Sequence, residues 1–333
     1  MTFWKKRTSL LDPFGRTVDY LRVSVIDHCN LQCIYCVPPG SIPWTPKAEL
    51  LTDAEIARVV RAAADLGICK VRITGGEPLV RPGLPDLIQT LSSISGIEEV
   101  SLTTNGTLLA RCAQDLAAAG LKRLNISLDT LWPHRFRQIT GFDGLDQVWA
   151  GITAAVSAGL SPIKLNVVVM RGINDDEVGD FATLTRGHPY QVRFIEFMPI
   201  GPTAHRWRDL FVPAEEILSR LEGAEPLTQE CPEGVAHRFR LPGAAGTIGV
   251  ISPMSRPFCG ACTRLRLSAD GYLRPCLFSG KGVDLKDPLR AGIPLRKLRL
   301  LIQSAAAAKP EGWMAKGGAI PEAVAQTMCE IGG

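Results

Sequence analysis

Leu21-Arg-Val-Ser-Val-Ile-Asp-His-Cys-Asn-Leu-Gln-Cys-Ile-Tyr-Cys36 runs from a β-rich apolar segment directly into a loop carrying three cysteines. The alternation predicts a strand over Leu21 to Ile26, closed by Asp27, so the loop starts at a strand's carboxyl end. Barrels and open parallel sheets build their active sites at that end. Cys29, Cys33 and Cys36 fall within eight residues and can fold around one point. Soft thiolates select zinc or an iron-sulfur cluster over hard cations. A structural zinc needs a fourth ligand, from His28 or a distant cysteine. A four-iron cluster on three thiolates leaves one iron open to a ligand. Spacing alone leaves both readings standing.

Working outward, helix and strand signals alternate. Thr52-Asp-Ala-Glu55 is a capping box, and Ile56, Val59, Val60, Ala63 and Leu66 follow at helical spacing. Strands are predicted over Lys70 to Thr74, Val100 to Thr104, Arg123 to Leu128, Ile163 to Val169 and Val192 to Phe197. Helices are predicted over Leu84 to Ile94, Leu108 to Ala119, around Val148 to Val156, and over Asp175 to Thr185. Six strands alternating with helices imply a parallel sheet with right-handed crossovers. The expected fold is α/β, an incomplete TIM-like barrel of six βα units, with a doubly wound sheet as the alternative. Beyond Phe197 the rhythm fails. Met198-Pro-Ile-Gly-Pro202 reads as a linker, Pro213 to Leu221 as a short helix, and residues 237 to 256 as short antiparallel strands. The boundary is expected near Pro199, dividing a partial barrel (1–199) from a C-terminal region (200–333).

Five strands share a pattern: Arg22-Val-Ser24, Arg72-Ile-Thr74, Arg123-Leu-Asn125, Lys164-Leu-Asn166 and, more loosely, Arg193-Phe-Ile195. Period-two alternation puts each cation on the face opposite the apolar residue beside it. With the apolar face turned to outer helices, the cations point into the lumen. Such a lumen is a costly core unless a polyanion or water fills it. The bland alternative places these cations at solvated rims.

Composition fits this picture. Hydrophobic residues make up 46% and charged residues 21% of the 333, ordinary for a globular protein. Leu10-Leu11 is cut short by Asp12-Pro13, so no signal-peptide core follows the early Lys5, Lys6 and Arg7, and no apolar run reaches membrane-spanning length. A cytoplasmic location without membrane attachment is the expectation, and ten cysteines there read as metal ligands and thiols rather than disulfides. Net charge is only +4, yet Arg256 to Arg299 holds ten Lys or Arg against three acidic residues. A block of that kind suits a nucleotide, nucleic acid or plain solvation; Phe258, Tyr272 and Phe278 are too few for a nucleic-acid stacking platform.

Two further stretches carry chemistry. Thr74-Gly-Gly-Glu-Pro78 ends the second strand, and its glycines permit close backbone approach to a ligand. A second triple, Cys259, Cys262 and Cys276, sits in Pro257-Phe-Cys-Gly-Ala-Cys-Thr-Arg-Leu-Arg266 and Leu273-Arg-Pro-Cys-Leu277. Judged alone, that triple suits a zinc knuckle with His237 as fourth ligand. Cys69, Cys112, Cys231 and Cys329 have no partner at ligand spacing and read as ordinary thiols.

The first triple, with Tyr35 before its last cysteine, and Gly-Gly-Glu-Pro together resemble the radical S-adenosylmethionine enzymes. Adding the second triple, the chain from about Asp12 to Gly333 is similar to the GTP 3′,8-cyclase family of molybdenum cofactor biosynthesis. The resemblance implies two four-iron clusters, on Cys29, Cys33 and Cys36 and on Cys259, Cys262 and Cys276. It implies S-adenosylmethionine contacts at Tyr35, Gly76, Ser127 and Met198, and GTP contacts at Arg22, Arg72, Thr103, Lys164, Arg264, Leu265 and Arg266, with Lys70 less surely. Arg264 and Arg266 are also the implied catalytic residues. The implied reaction is removal of hydrogen from C3′ of GTP by a deoxyadenosyl radical, then closure onto C8 of guanine. GTP, a flavodoxin-like or other protein reductant, a downstream cyclic pyranopterin monophosphate synthase and an optional homodimer are the implied partners; nucleic acid and membrane are not. The alternatives are a peptide-modifying radical enzyme with an auxiliary cluster and a zinc protein that binds nucleic acid. His28 departs from the arginine expected there, and Gly332-Gly333 matches the family's tail, which reaches the active site.

Overall fold

A computed structural model of the chain describes residues 9–36, 44–228, 235–280, 282–313 and 327–331. Six parallel strands pair in sequence order: β1 (Tyr20–Ser24), β2 (Lys70–Thr74), β3 (Glu99–Thr104), β4 (Arg123–Ser127), β5 (Ile163–Val169) and β6 (Gln191–Glu196). Helices cross between them as the periodicity predicts. The Thr52–Glu55 capping box forms in full and opens the helix Asp53–Asp65. The stretch expected as one helix from Leu108 breaks into a 3-10 turn, Leu109–Arg111, and the helix Ala113–Ala118. A helix over Pro133–Thr140 was not foreseen. Its arginines, histidine and glutamine dilute the apolar stripe to Phe136 and Ile139, too few for the period to register.

The chain after Pro199 returns to the same sheet. Strands β7 (Glu225–Pro226), β8 (His237–Arg240) and β9 (Thr247–Ile251) add to one edge, β9 lying parallel to β6 and β8 antiparallel to β9. Strands β10 (Arg264–Leu267), β11 (Tyr272–Arg274) and β12 (Val283–Asp284) add to the other, β10 lying parallel to β1. The order is β12-β11-β10-β1-β2-β3-β4-β5-β6-β9-β8-β7. The antiparallel reading of residues 237–256 thus holds for β8 and β9, while the bond of β9 to β6 extends the parallel run.

The sheet curls. Strands β9 and β10 stand seven places apart, which at about 4.8 Å per strand would separate them by roughly 34 Å in a flat sheet. Ile251 of β9 and Arg266 of β10 nonetheless line one cavity. The apolar faces of the strands pack outward: Val23, Val71, Ile73, Leu102, Leu124, Ile126, Leu165 and Phe194 are completely buried.

One carboxylate ties the two halves of the chain together. Glu196, fully buried at the end of β6, accepts from the backbone N–H groups of Ala214 (2.8 Å), Met254 (2.8 Å) and Ser255 (3.0 Å). Glu196→Ala leaves two buried donors and one part-buried donor without an acceptor and is expected to cost about 3 kcal/mol. Urea unfolding of the ligand-free chain measures it.

Candidate active site

The curled sheet encloses about 1080 Å³ of space open to solvent. Five arginines line it, Arg22, Arg72, Arg193, Arg264 and Arg266, and among the described residues the lining contains no carboxylate. Three of them form a row. Arg266 of β10 stands opposite Arg22 of β1, and Arg22 opposite Arg72 of β2. Like charges directly opposed on neighbouring strands repel. Burial, followed by repulsion from Arg266 and Arg72, pushes the Arg22 pKa well below its ordinary value. Burial and then Arg264 bring Arg266 down to about 10.

Buried polar atoms without a hydrogen-bond partner among the described residues point the same way: Nε of Arg22, Nη2 of Arg264, Oγ1 of Thr103 and Oδ1 of Asn125 and Asn166. Each is a cost that a polar ligand would remove. Lys164 lies 7% exposed, and burial followed by the charges of Arg193, Arg72 and Arg123 lowers it to about 7. Arg123 shares the strand face of Asn125 but does not line the chamber. It opens β4 and pairs at 3.2 Å with Glu99, which opens β3, so the pair sits half-exposed at the amino-end rim. The lumen reading is corrected there, because a first residue of a strand meets solvent.

The loop of Cys29, Cys33 and Cys36 rests on the carboxyl ends of the neighbouring strands. Gly76 N–H donates to the Ile26 carbonyl (2.6 Å) and Glu77 N–H to that of His28 (2.8 Å). A Cβ on Gly75 would stand 2.5 Å from the Ile26 oxygen, and one on Gly76 would stand 2.3 Å from that of His28. The glycine pair is therefore required by the backbone leading into the cysteine loop. Glu77, buried at 1%, accepts from Thr104 Oγ1 (2.6 Å), Asn105 N–H (2.6 Å) and Leu79 N–H (3.0 Å); burial raises it to about 7. The Tyr35 hydroxyl donates to Asp129 after β4 (2.5 Å). Cys29 Sγ accepts from Leu31 N–H (3.4 Å) and Asn105 Nδ2 (3.9 Å). Three half-buried thiols with N–H donors on a sulfur fit an iron-sulfur cluster. Among the described residues, no three His, Cys, Asp or Glu close on one point as a single metal ion requires.

Cys259, Cys262 and Cys276 all line the chamber. A strap after the helix Leu295–Ala307 braces them. Lys309, 4% exposed, donates to Cys262 Sγ (3.4 Å), the Arg264 carbonyl (2.9 Å) and the Pro275 carbonyl (3.1 Å). Arg16 donates to the carbonyls of Cys259 (2.7 Å), Glu311 (2.7 Å) and Pro310 (2.6 Å), with Asp12 on its Nε. Gly312 packs against Cys259, where a Cβ would stand 2.9 Å from the cysteine's own. Burial alone would raise the Cys262 thiol, but Arg264 and Lys309 hold it down to about 7.

Comparison with known proteins agrees with this layout. Residues 23–185 match the Radical SAM superfamily and residues 190–315 match Molybdenum Cofactor Synthesis C. The GTP 3′,8-cyclase of Moorella thermoacetica is 49% identical over 319 residues, covering 95% of this chain and 98% of that protein. That of Heliobacterium modesticaldum is 49% identical over 315 residues, covering 91% and 96%. Among solved structures, Streptococcus suis SuiB bound to S-adenosylmethionine superposes with a TM-score of 0.59 at 14% identity. The match covers 80% of this chain and 62% of SuiB, and it bears on the fold alone. The chain belongs to the GTP 3′,8-cyclase family.

Radical SAM membership brings one four-iron cluster and S-adenosylmethionine. Of the residues that the family resemblance singled out, Arg22, Arg72, Arg264, Arg266, Met198, Cys259, Cys262 and Cys276 line the chamber. Thr103 and Lys164 are half-buried and buried on β3 and β5; Gly76 and Ser127 lie at the carboxyl ends of β2 and β4 and Tyr35 in the cysteine loop, none of the three on the chamber wall. Leu265 turns into the core at 0% exposure, since it alternates with Arg264 and Arg266 on one strand. Lys70 is engaged by Asp19 (2.8 Å) at the opposite end of β2. His237 is an exposed residue of β8, away from the chamber lining. His28 is exposed beside Trp44 (ring centroids 4.4 Å apart). Cys231 and the Gly332-Gly333 tail lie outside the described residues.

Sequence reasoning passed over Lys309, Arg16 and Trp313, whose partners lie far along the chain. Asn125 and Asn166 were visible in the strand pattern and carried the right signal, a polar residue on the lumen face. Lys309 is a buried ammonium whose one anion-forming acceptor, besides two carbonyls, is a cysteine. Lys309→Met is expected to weaken any soft-metal centre on Cys259, Cys262 and Cys276 roughly tenfold, as loss of an outer-shell partner does. Iron and sulfide retained under chelator challenge measure it, with Lys309→Arg retaining more.

Proposed function

We propose that the arginine-lined chamber binds GTP and that the chain converts it to (8S)-3′,8-cyclo-7,8-dihydroguanosine 5′-triphosphate, the first step of molybdenum cofactor biosynthesis. The row Arg266–Arg22–Arg72, on a wall where the described residues include no carboxylate, carries this reading. A triphosphate supplies the missing negative charge, and planar guanidinium groups bond its oxygens in pairs. Lys164 and Thr103 add a point charge and a hydroxyl from β5 and β3. Arg264 and Arg266 act beside Cys262 as catalytic residues, holding the base end of the substrate near the second triple, and the Leu265 backbone joins them.

Cys29, Cys33 and Cys36 would hold the cluster shared by the superfamily, and Cys259, Cys262 and Cys276 a second four-iron cluster. Bound together, the first cluster and S-adenosylmethionine supply the radical that takes hydrogen from the ribose. Tyr35, Gly76, Ser127 and Met198 are assigned to S-adenosylmethionine. The chain's own contribution is to hold the ribose carbon and the base in fixed proximity, with Phe258, Phe278 and Trp313 on the chamber wall limiting the access of water and other quenchers. Phe258 lies under the Arg264 guanidinium at 5.2 Å and fixes its direction. In this reading residues 1–199 are the radical barrel and 200–333 the GTP and second-cluster region. The partners that go with this reading are a flavodoxin-like or other protein reductant and cyclic pyranopterin monophosphate synthase, in the cytoplasm, with a homodimer optional.

Anaerobic reconstitution with GTP, S-adenosylmethionine and a reductant is expected to yield the cyclised triphosphate by mass analysis. Cofactor cleavage without that product would remove the reading. Arg22→Gln is expected to weaken GTP binding at least tenfold, about 1.4 kcal/mol, by equilibrium dialysis. Lys164 predicts a proton linkage. With its pKa near 7 in the empty chamber, the amine is mostly neutral above pH 7.5 and must gain a proton to meet the triphosphate. GTP binding should therefore take up a proton and weaken as pH rises from 7.5 to 9. Calorimetry in two buffers of different ionisation enthalpy reads the uptake, and Lys164→Met abolishes it.

A further inference from the structure

Cys329 was read as an ordinary thiol, and its place in the fold is otherwise. It lies on the short C-terminal helix Met328–Ile331, 2% exposed, with Sγ 3.5 Å from Sγ of Cys36. The turn that presents it is braced: Thr327 N–H and Oγ1 donate to the Glu330 carboxylate (2.7 and 3.0 Å), and Glu330 N–H donates back to Thr327 Oγ1 (3.3 Å). The two cysteines are 293 residues apart in sequence and belong to no common motif. Two thiols at this separation need close by only about 1.5 Å to reach disulfide bonding distance.

We propose that Cys36 and Cys329 form a reversible disulfide when the first cysteine triple carries no cluster, making Cys329 a modification site that guards Cys36. A low-molecular-weight disulfide such as glutathione disulfide is the oxidant. The Cys36 thiolate attacks it, forming a mixed disulfide and releasing one glutathione thiolate. The Cys329 sulfur then attacks the Cys36 sulfur, giving up its proton as it does so, forming the protein disulfide and releasing the second glutathione. Two protein thiols lose two electrons and two protons, and one glutathione disulfide becomes two thiols. Cys36, half-buried, takes the first step; Cys329, buried against it, resolves it. The bridge keeps Cys36 from irreversible oxidation and fastens the C-terminal segment over the loop until a thiol reductant reopens it. The protection rests on Cys36 being a cluster ligand; the bridge itself rests on the sulfur contact.

The test uses the full chain, cluster-free, incubated with glutathione disulfide, alkylated and mapped by mass without reduction. The Cys36–Cys329 peptide pair is expected as the main bridged product of Cys36, and Cys329→Ser should lose it and carry glutathione on Cys36 instead. A Cys36 bridge to Cys33 or Cys29 with Cys329 free would overturn the proposal. A thermal melt of Cys329→Ser controls for folding. In a second arm, oxidised wild type and Cys329→Ala are dialysed alike against a mild monothiol that strips mixed glutathione disulfides, after which wild type should take up iron and sulfide only once dithiothreitol is added, while Cys329→Ala takes them up at once. Equal uptake by both without dithiothreitol would overturn the guarding role. Failure of wild type to load iron even after reduction would instead count against the cluster reading, while leaving the mapped bridge intact.

Discussion

Arg266, Arg22 and Arg72 stand side by side on three hydrogen-bonded strands and face the same space. In water such a row would spread; in a sheet the register prevents it. The backbone pairing that makes the fold also compresses the charge, and among the described residues no carboxylate lines the chamber to offset it. Much else in the molecule compensates for this. The outward face of the same strands is closely packed and apolar, with Val23, Val71 and Ile73 completely buried, so burial on one side holds strands that repulsion on the other would separate. An anion inside the chamber would offset that repulsion.

The same row explains why the C-terminal region cannot be a separate module in the physical sense. Arg264 and Arg266 belong to β10, contributed after residue 199, while Arg22 and Arg72 come from the first half. The parallel bond between β10 and β1 brings the two sets into register, and the parallel bond between β9 and β6 closes the other side. Glu196 then fixes the crossover by accepting from backbone groups on both later segments. The six parallel strands β1 to β6 supply most of a wall, and the later strands supply its two margins together with the second cysteine triple.

How much of this was legible in the sequence depends on the range of the interaction. Period-two alternation is local, so the lumen cations could be read from single strands, and Arg22, Arg72 and Arg193 do line the chamber. Arg123 shows the limit of that reading. It has the same local pattern, but whether a residue is inside or at the rim depends on its height in the barrel, and Arg123 is the first residue of its strand. Gly75-Gly76 was legible as a place of close approach, but the neighbour it approaches is the backbone of residues 26 to 28. Lys309, Arg16 and Cys329 could not be found from spacing. Lys309 meets Cys262 from 47 residues away and Arg16 meets Cys259 from 243, distances over which no sequence period operates.

The two cysteine sites differ in what surrounds their sulfur. Cys262 is held by cations, Arg264 and Lys309, which favour its ionised form even though it is buried. Cys29 has N–H dipoles instead, from Leu31 and Asn105, and burial still pushes its thiol up to about 12. An anionic centre is therefore stabilised at the second site by fixed positive charge from the chain, whereas at the first it depends on the charge of whatever metal centre the sulfurs hold. The asymmetry follows from position. The second triple opens onto the arginine chamber and shares its positive field; the first sits on the strand ends beside the carboxylates Glu77 and Asp129, whose burial already raises their pKa values to about 7 and about 6. A soft cationic core bound by Cys29, Cys33 and Cys36 would lower the cost of all of these groups together, which is why the loop, the glycine pair and the two carboxylates belong to one unit rather than to four separate features.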